Sequence, residues 1–261
     1  MINFIDILHI DAKEIKQYLT NLDNNGELNI ILPELIALKG VDISKETSHK
    51  DNFIHTLSVI ENTYYASKNP WLRLVSILHD IGKAPTKAWI DGIGWSFHNH
   101  EYIGGKMLPN IFKRLNIPIE QHDYITKIVV NHGYPKELCR IAKDSALRRF
   151  HLLMGDELED LFMFCRCDLT STNIEKKTRQ INAYNELYDK IVELKIRDEK
   201  SKWRCPIDGS VIMKHFNLIP CRLVGDIRKT IEDAIKEGII EDDYEEAYKF
   251  MLNIKIDTKN E

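Results

Sequence analysis

The stretch SILHDIGKAP at positions 76–85 places two adjacent titratable residues, His79 and Asp80, at the end of a run of apolar residues. The apolar side chains before them fall on most sides of a helix, so the pattern predicts a buried, central helix at 70–81. Burying an unpaired carboxylate is very costly, and a negative charge at a helix C-terminus also opposes the helix dipole. The sequence therefore requires a cation beside Asp80.

Two kinds of cation can meet this requirement. Lys83 follows three residues later and can form an ordinary ion pair with Asp80. A divalent metal ion is the other candidate, because a neutral imidazole and a carboxylate are natural metal ligands. The HisAsp pair alone leaves both alternatives open.

Two more polar residues lie among apolar helix positions. His55, in NFIHTLSVI, has apolar neighbours on more than one side of its helix, and Asp168 shares a helix face with three apolar residues, so we expect Asp168 to point into the core. A single histidine in such a setting is more often a satisfied core residue than a ligand. Together, however, these two residues and the HisAsp pair supply two imidazoles and two carboxylates from three helices. This mixed set suits manganese, magnesium, nickel, cobalt or iron better than a closed structural zinc site.

Helical periodicity dominates the chain, which predicts an all-α fold with at most a short β-ribbon near 88–97, where Asp91-Gly92 can form a turn. Gly82 and Gly133 stand where left-handed residues usually end helices. A charged stretch at 198–206 separates a C-terminal module that looks like two short helices. The expected helices lie at about 11–22, 52–67, 70–81, 97–114, 120–132, 144–154, 156–170 and 174–197.

The predicted organisation is an N-terminal helical leader over 1–45, the main helical domain over 46–197 and the C-terminal helical module over 198–261. Five scattered cysteines fit a reducing compartment, and no stretch approaches the roughly 18 apolar residues of a membrane span. We therefore expect a cytoplasmic protein without a membrane partner. The net charge of −4 supplies no overall basic field, so any contact with RNA must be local.

The order His, then HisAsp, then a distant Asp resembles the HD-domain metal-dependent phosphohydrolases, in which HDIGK is a common form of the motif. The resemblance implies an HD-domain helical bundle. It also implies that His55, His79, Asp80 and Asp168 hold a divalent metal ion, with Asp80 and Lys83 at the catalytic centre. The metal would polarise a phosphoryl oxygen and activate the attacking water.

Longer stretches, including LRLVSILHDIGKAPTK, RCDLTSTN and the module at 206–240, resemble the HD-containing C-terminal half of bacterial CCA-adding tRNA nucleotidyltransferases, or poly(A) polymerases. The resemblance runs from about Ile30 to Met251. Those enzymes begin with a nucleotidyltransferase domain that carries a Gly-Ser pair and two catalytic aspartates, and the residues before Ile30 contain no such set. We therefore expect that this chain does not add CCA on its own.

The resemblance implies hydrolysis of phosphate esters on nucleotides or RNA ends, including 2',3'-cyclic phosphodiesters and phosphatase substrates. A nucleotide or RNA end is therefore the expected substrate, and tRNA is a candidate partner. The alternative is a stand-alone tRNA-binding half that works with a separate nucleotidyltransferase chain. The sequence leaves the oligomeric state open.

Other polar residues are candidates for an enlarged site. His100 and His132 would hold a second metal, or they are surface and capping histidines. Arg148 and Arg149 would clamp a phosphate, because guanidinium groups match phosphate geometry, or they pair with acidic residues on the next helix. The resemblance also puts His49 and Lys50 at the rim of the site as substrate contacts, although a solvated loop explains them as well.

Overall fold

The computed structural model describes residues 4–40, 51–92, 94–141 and 143–254. The chain divides into two compact units, Met1–Lys195 and Ile196–Glu261. The described residues are mainly helical and contain a single two-stranded sheet, which confirms the predicted all-α class. Among the described residues, no helix combines the length and apolar composition that crossing a membrane requires.

The first unit consists of short helices at its start and longer helices around the predicted central one. In chain order they are α1 Phe4–Ile7, α2 Ile15–Asn24, α3 Glu27–Ile31, α4 Pro33–Ile36, α5 Asn52–Ala66, α6 Pro70–Leu78, α7 Lys83–Thr86, α8 His100–Leu115, α9 His122–Asn131, α10 Tyr134–Ile141, α11 Asp144–Met154, α12 Leu158–Cys167 and α13 Ile174–Lys202. The last of these continues past the boundary between the units.

Helix α6 is the buried centre of this unit, as the apolar pattern predicts. Its start is set by Asn69, whose side chain accepts a hydrogen bond from the Trp71 amide, and by Pro70 in the first turn. The helix packs against α5, α9 and α12, and each of its buried leucines contributes about 1.5–3 kcal/mol through removal from water. It ends at Leu78 instead of residue 81, so His79 and Asp80 lie in the turn that follows.

The expected left-handed caps at Gly82 and Gly133 are wrong, because neither glycine has a positive φ. Their role is close packing. A Cβ on Gly82 would lie 2.6 Å from the Gly104 amide nitrogen, so only a glycine lets α8 approach the end of α6. A Cβ on Gly133 would collide with the Glu101 carboxylate. The helices at these two turns are therefore held by contacts that are distant in sequence.

The pattern also missed helix α10. Gly133 and Pro135 indicate a chain break after α9, yet Pro135 lies in the first turn of a new helix, where a proline removes no needed hydrogen bond. The β-ribbon has the predicted position: β1 Ala88–Ile90 pairs antiparallel with β2 Gly94–Ser96. The pairing sets Trp89 directly opposite Trp95.

The second unit has three helices where the pattern predicted two: α14 Gly209–Phe216, α15 Arg222–Lys236 and α16 Tyr244–Leu252. Ile227 and Ile231 of α15 are buried, and Ile235 is partly buried, in the arrangement that their spacing predicts. Met251 of α16 completes this small core. The acidic residues before and within α16 obscured its apolar face in the sequence.

Candidate metal centre

Three helices bring together the four residues that the sequence singled out. His55 lies on α5, His79 and Asp80 follow α6, and Asp168 follows α12. The His55 Nε2 atom lies 3.0 Å from Asp168 Oδ1, and the His79 Nε2 atom lies 3.1 Å from Asp80 Oδ2. The candidate ligand atoms of His55, His79 and Asp80 all lie within 4.8 Å of one another.

A second group of histidines meets the other oxygen of the same carboxylate. Asp80 Oδ1 lies 3.4 Å from the Nε2 atom of His100, at the start of α8, and 3.9 Å from the Nε2 atom of His132, just after α9. These three residues also offer ligand atoms within 4.8 Å of one another. Asp80 therefore lies between two groups, with one oxygen directed to each.

The four imidazoles are oriented in the same way, with Nδ1 engaged outside the centre and Nε2 turned towards the carboxylates. In three of them the partner of Nδ1 is a backbone carbonyl, which only accepts hydrogen bonds, so Nδ1 carries the hydrogen. In the neutral form, the Nε2 lone pair then faces Asp80. The Nδ1 contacts are His79 to Ser76 O (3.0 Å), His100 to Phe97 O (3.0 Å), His132 to Val129 O (2.7 Å) and His55 to Thr170 Oγ1 (2.8 Å).

Two buried polar atoms in the centre have no hydrogen-bond partner in the part of the chain that the structure describes. They are His79 Nε2 and Asp168 Oδ1, which lie 3.5 Å apart. His79 Nε2 lies close to the Asp80 carboxylate, and Asp168 Oδ1 lies close to the His55 ring, but neither contact has the geometry of a hydrogen bond. Buried polar atoms are usually satisfied, so two of them that converge on one point fit a divalent metal ion.

The electrostatics of the centre depend on the balance between burial and neighbouring charge. Burial opposes the charge on His79, yet Asp80 and Asp168 raise its pKa to about 10. Burial lowers the pKa of His132 to about 4, with the charge of His79 acting in the same direction. For Asp80, burial opposes ionisation, but His79 and Lys83 hold its pKa well below the usual range. Both Asp80 and the His132 ring therefore favour the protonation state that binds metal.

Lys83 forms the ion pair that the sequence offered as the simpler alternative. Its Nζ atom lies 2.7 Å from Asp80 Oδ2 and 3.3 Å from Asn52 Oδ1. The lysine thus approaches the same carboxylate oxygen as His79. Lys83 therefore uses the same Asp80 oxygen that a metal ion would use. The two cations are alternatives for this oxygen, and the lysine can also remain beside a bound metal ion.

Asp168 differs from its expected position. Its side chain is 30% exposed, so it lies at the edge of the centre instead of pointing into the core, although its Oδ1 atom is buried. The turn after α12 directs the Asp168 carboxylate towards His55. His98 is exposed and belongs to neither group.

The other predicted substrate contacts have less structural support. Arg148 is half-buried and Arg149 is exposed on α11, and their phosphate clamp stays a prediction. Glu157, an acidic residue just before α12, pairs with Lys127 at 2.7 Å. His49 and Lys50 lie outside the described residues.

The sequence reasoning missed three residues that support the centre. Glu101 Oε2 lies 3.2 Å from His100 Nδ1, Thr170 contacts His55, and Asn52 contacts Lys83. The signal for Glu101 was its place beside His100 in HNHEY. Thr170 stands two residues after Asp168, but nothing local links it to His55.

Comparisons with known proteins agree with this geometry. Residues 52–162 match the family model described as the HD domain. The match contains five of the six centre residues, and Asp168 lies beyond its end.

The chain also resembles curated relatives called "Multifunctional CCA protein". The relative from Legionella pneumophila strain Philadelphia 1 is 26% identical over 71% of this chain and 46% of its own length. The relative from Vibrio vulnificus strain YJ016 is 26% identical over 59% and 38%. The relative from Psychromonas ingrahamii is 32% identical over 50% and 31%. The alignments thus span less than half the length of these relatives.

Proposed function

We propose that this chain, whose residues 52–162 match the HD domain, is a divalent-metal-dependent phosphohydrolase acting on phosphate esters of nucleotides or RNA ends. The observation that carries the proposal is the common orientation of the histidines, whose Nε2 atoms converge on Asp80. An ordinary buried ion-pair cluster would not need every Nδ1 atom tied to a partner outside it.

His55, His79, Asp80 and Asp168 would hold one ion, and Asp80 Oδ1, His100 and His132 would hold a second. Manganese, magnesium, nickel, cobalt and iron all suit these nitrogen and oxygen ligands. A bound ion supplies Lewis-acid polarisation of the phosphoryl oxygen and makes water a stronger nucleophile.

The chain's own residues prepare this centre. The Nδ1 hydrogen bonds fix the tautomer and angle of the imidazoles, so little reorganisation is needed when a ligand binds. Phe164 packs edge-on against His79, with ring centroids 5.2 Å apart, and against His132 at 6.0 Å, and thereby excludes water from one side. Lys83 keeps Asp80 ionised and carries an ammonium group that can donate to a phosphate oxygen.

The substrate that we favour is a 2',3'-cyclic phosphodiester. The oxygen of water forms a new bond to phosphorus, one ester P–O bond breaks, and a proton passes to the released 2' or 3' hydroxyl oxygen. The product is a phosphate monoester, which the same centre would hydrolyse in a phosphatase reaction. The similarity to multifunctional CCA proteins supports a nucleotide or RNA end as the substrate class.

Hydrolysis of 2',3'-cyclic AMP in the presence of Mn²⁺ or Ni²⁺ tests this proposal. We expect turnover by the natural protein and its loss in Asp80→Ala. The matched control is His9→Ala, which removes an exposed histidine outside both groups and should keep full activity. Equal rates for Asp80→Ala and the natural sequence would overturn the proposal.

A second candidate is a stand-alone tRNA-binding half that serves a nucleotidyltransferase on another chain. It is favoured by one observation: the similarity to the Legionella relative covers 192 residues, well beyond the HD domain. A gel-shift assay with tRNA at physiological salt tests it. Binding without hydrolysis of any phosphate ester would support this alternative, and hydrolysis without tRNA binding would exclude it.

A further inference from the structure

We propose that the cleft beside the metal centre, walled by Trp95 and Phe97, binds the nucleobase of the substrate. The proposal rests on the proposed function and adds to it a specificity site. The occupant is the base of a nucleotide, free or at an RNA end, whose phosphate lies at the centre.

The cleft is continuous with the centre. It measures about 390 Å³, within the size range of small-molecule sites, and Lys83 and His100 belong both to its lining and to the metal centre. Lys83 Nζ lies 2.7 Å from Asp80 Oδ2 and 6.0 Å from the centroid of the Phe97 ring. A phosphate at Asp80 and a base against Phe97 are therefore within the span of one nucleotide.

The aromatic wall is built by the β-ribbon. Trp95 lies on β2 and Phe97 directly follows the end of that strand, and both side chains belong to residues that line the cleft. Trp89, opposite Trp95 on the other strand, packs against it at a ring-centroid distance of 5.3 Å and an angle of 78°. The Trp89 indole nitrogen donates to Asp91 Oδ1, which fixes the supporting ring.

Exposure and charge identify the kind of ligand. Trp95 is 37% exposed and Trp89 is 57% exposed, although a structural hairpin would gain stability by covering them. Cations lie over the aromatic wall: Lys87 Nζ is 4.1 Å from the Trp95 ring centroid. Stacking rings beside ammonium groups fit a ligand that combines an aromatic base with phosphate. A purely apolar partner would leave the two lysines unused.

Kinetics with two cyclic phosphates test the inference. Glycerol 1,2-cyclic phosphate has the same five-membered phosphodiester as 2',3'-cyclic AMP but no base. For Trp95→Ala and Phe97→Ala, we expect KM for 2',3'-cyclic AMP to rise by about 5- to 150-fold with little change in kcat. This range corresponds to the binding energy of one stacked base. Kinetics with the glycerol substrate should not change, which also verifies that the centre is intact.

Two further variants complete the test. Trp95→Phe keeps a stacking face and should restore most of the affinity for cyclic AMP. Tyr65→Ala, which removes an exposed aromatic side chain of α5 that does not line the cleft, should leave both substrates unaffected. Equal changes for both substrates in Trp95→Ala, or no change for either, would overturn the inference.

A binding measurement separates this inference from the proposed function. Calorimetry in EDTA compares adenosine 2'-monophosphate with ribose 5-phosphate. Tighter binding of the adenosine compound, lost in Trp95→Ala, supports the base site even if no ester is hydrolysed. Equal binding of the two compounds contradicts it even if hydrolysis occurs. In Trp95→Ala, a short RNA ending in a 2',3'-cyclic phosphate should lose affinity to the same extent as 2',3'-cyclic AMP. A loss of affinity for the RNA alone would also contradict a single-base site.

Discussion

The ammonium nitrogen of Lys83 lies 2.7 Å from Oδ2 of Asp80, the carboxylate oxygen that also faces His79. Together with the charged His79 ring, this lysine neutralises the buried carboxylate when no metal is bound. A divalent ion in the first position, held by His55, His79, Asp80 and Asp168, would take over most of that role. The lysine should therefore matter most for the stability of the metal-free protein.

Lys83→Met tests this relationship. In EDTA, we expect the free energy of unfolding to fall by about 1.5–3 kcal/mol, because the buried Asp80 carboxylate loses a charged hydrogen-bond donor and keeps the His79 ring beside it. With saturating Mn²⁺, the loss should be much smaller. Urea unfolding under both conditions measures it, with Lys68→Met, an exposed lysine, as the control. The same loss with and without Mn²⁺ would argue against a metal beside Asp80.

Metal binding should be coupled to proton release. The pKa of His79 is raised to about 10 without metal, so at neutral pH its ring is charged and must lose a proton before Nε2 can bind an ion. Affinity at the first position should therefore rise with pH by about tenfold per unit below pH 10. Calorimetry of Mn²⁺ binding in buffers of different ionisation enthalpy counts the protons. Binding at neutral pH without proton release would contradict the placement of His79 among the ligands.

The second position should be separable from the first. His132, whose pKa is lowered to about 4, is neutral at physiological pH and needs to release no proton. We expect His132→Ala to bind about one fewer metal equivalent per chain than the natural protein, as measured by elemental analysis after dialysis. His98→Ala should bind as much as the natural protein. An unchanged metal content in His132→Ala would restrict the centre to one ion.

The contact between α8 and the end of α6 depends on Gly82. Gly82→Ala should destabilise the protein by about 1–3 kcal/mol, because the new methyl group collides with backbone atoms that have little room to move. It should also weaken the second metal position, since it displaces His100. Gly225→Ala is the matched control: its Cβ meets nothing within 4 Å, and it should stabilise α15 by up to about 1 kcal/mol. Equal stability of the two variants in urea would contradict this account of Gly82.

The sequence predicted the parts of the fold that depend on local patterns. The central position of α6 follows from its apolar residues, and its start follows from Asn69 and Pro70. The ribbon follows from Asp91-Gly92 between aromatic residues. By contrast, the packing role of Gly82 and the existence of α10 depend on which helices come close together, and no local pattern contains that information.

The same division holds for the candidate site. The convergence of His55, His79 and Asp168 could be inferred from periodicity, and the structure brings them together, with His79 and Asp168 just beyond the ends of their helices. The position of Asp168 at the edge of the centre and the contact between Thr170 and His55 could not be inferred, because both depend on the turn after α12. The place of Trp95 beside the centre likewise depends on where the ribbon packs.

Restoration of hydrolysis by metal is the most direct test of the central claim. Protein stripped with a chelator is titrated with Mn²⁺ while hydrolysis of bis-p-nitrophenyl phosphate is followed, for the natural sequence and for Asp80→Asn. The account predicts that the rate of the natural protein rises by at least about 100-fold to a plateau, whereas Asp80→Asn stays near the baseline. A stripped protein that hydrolyses the ester without metal, or an Asp80→Asn variant that responds to Mn²⁺ like the natural protein, would contradict it.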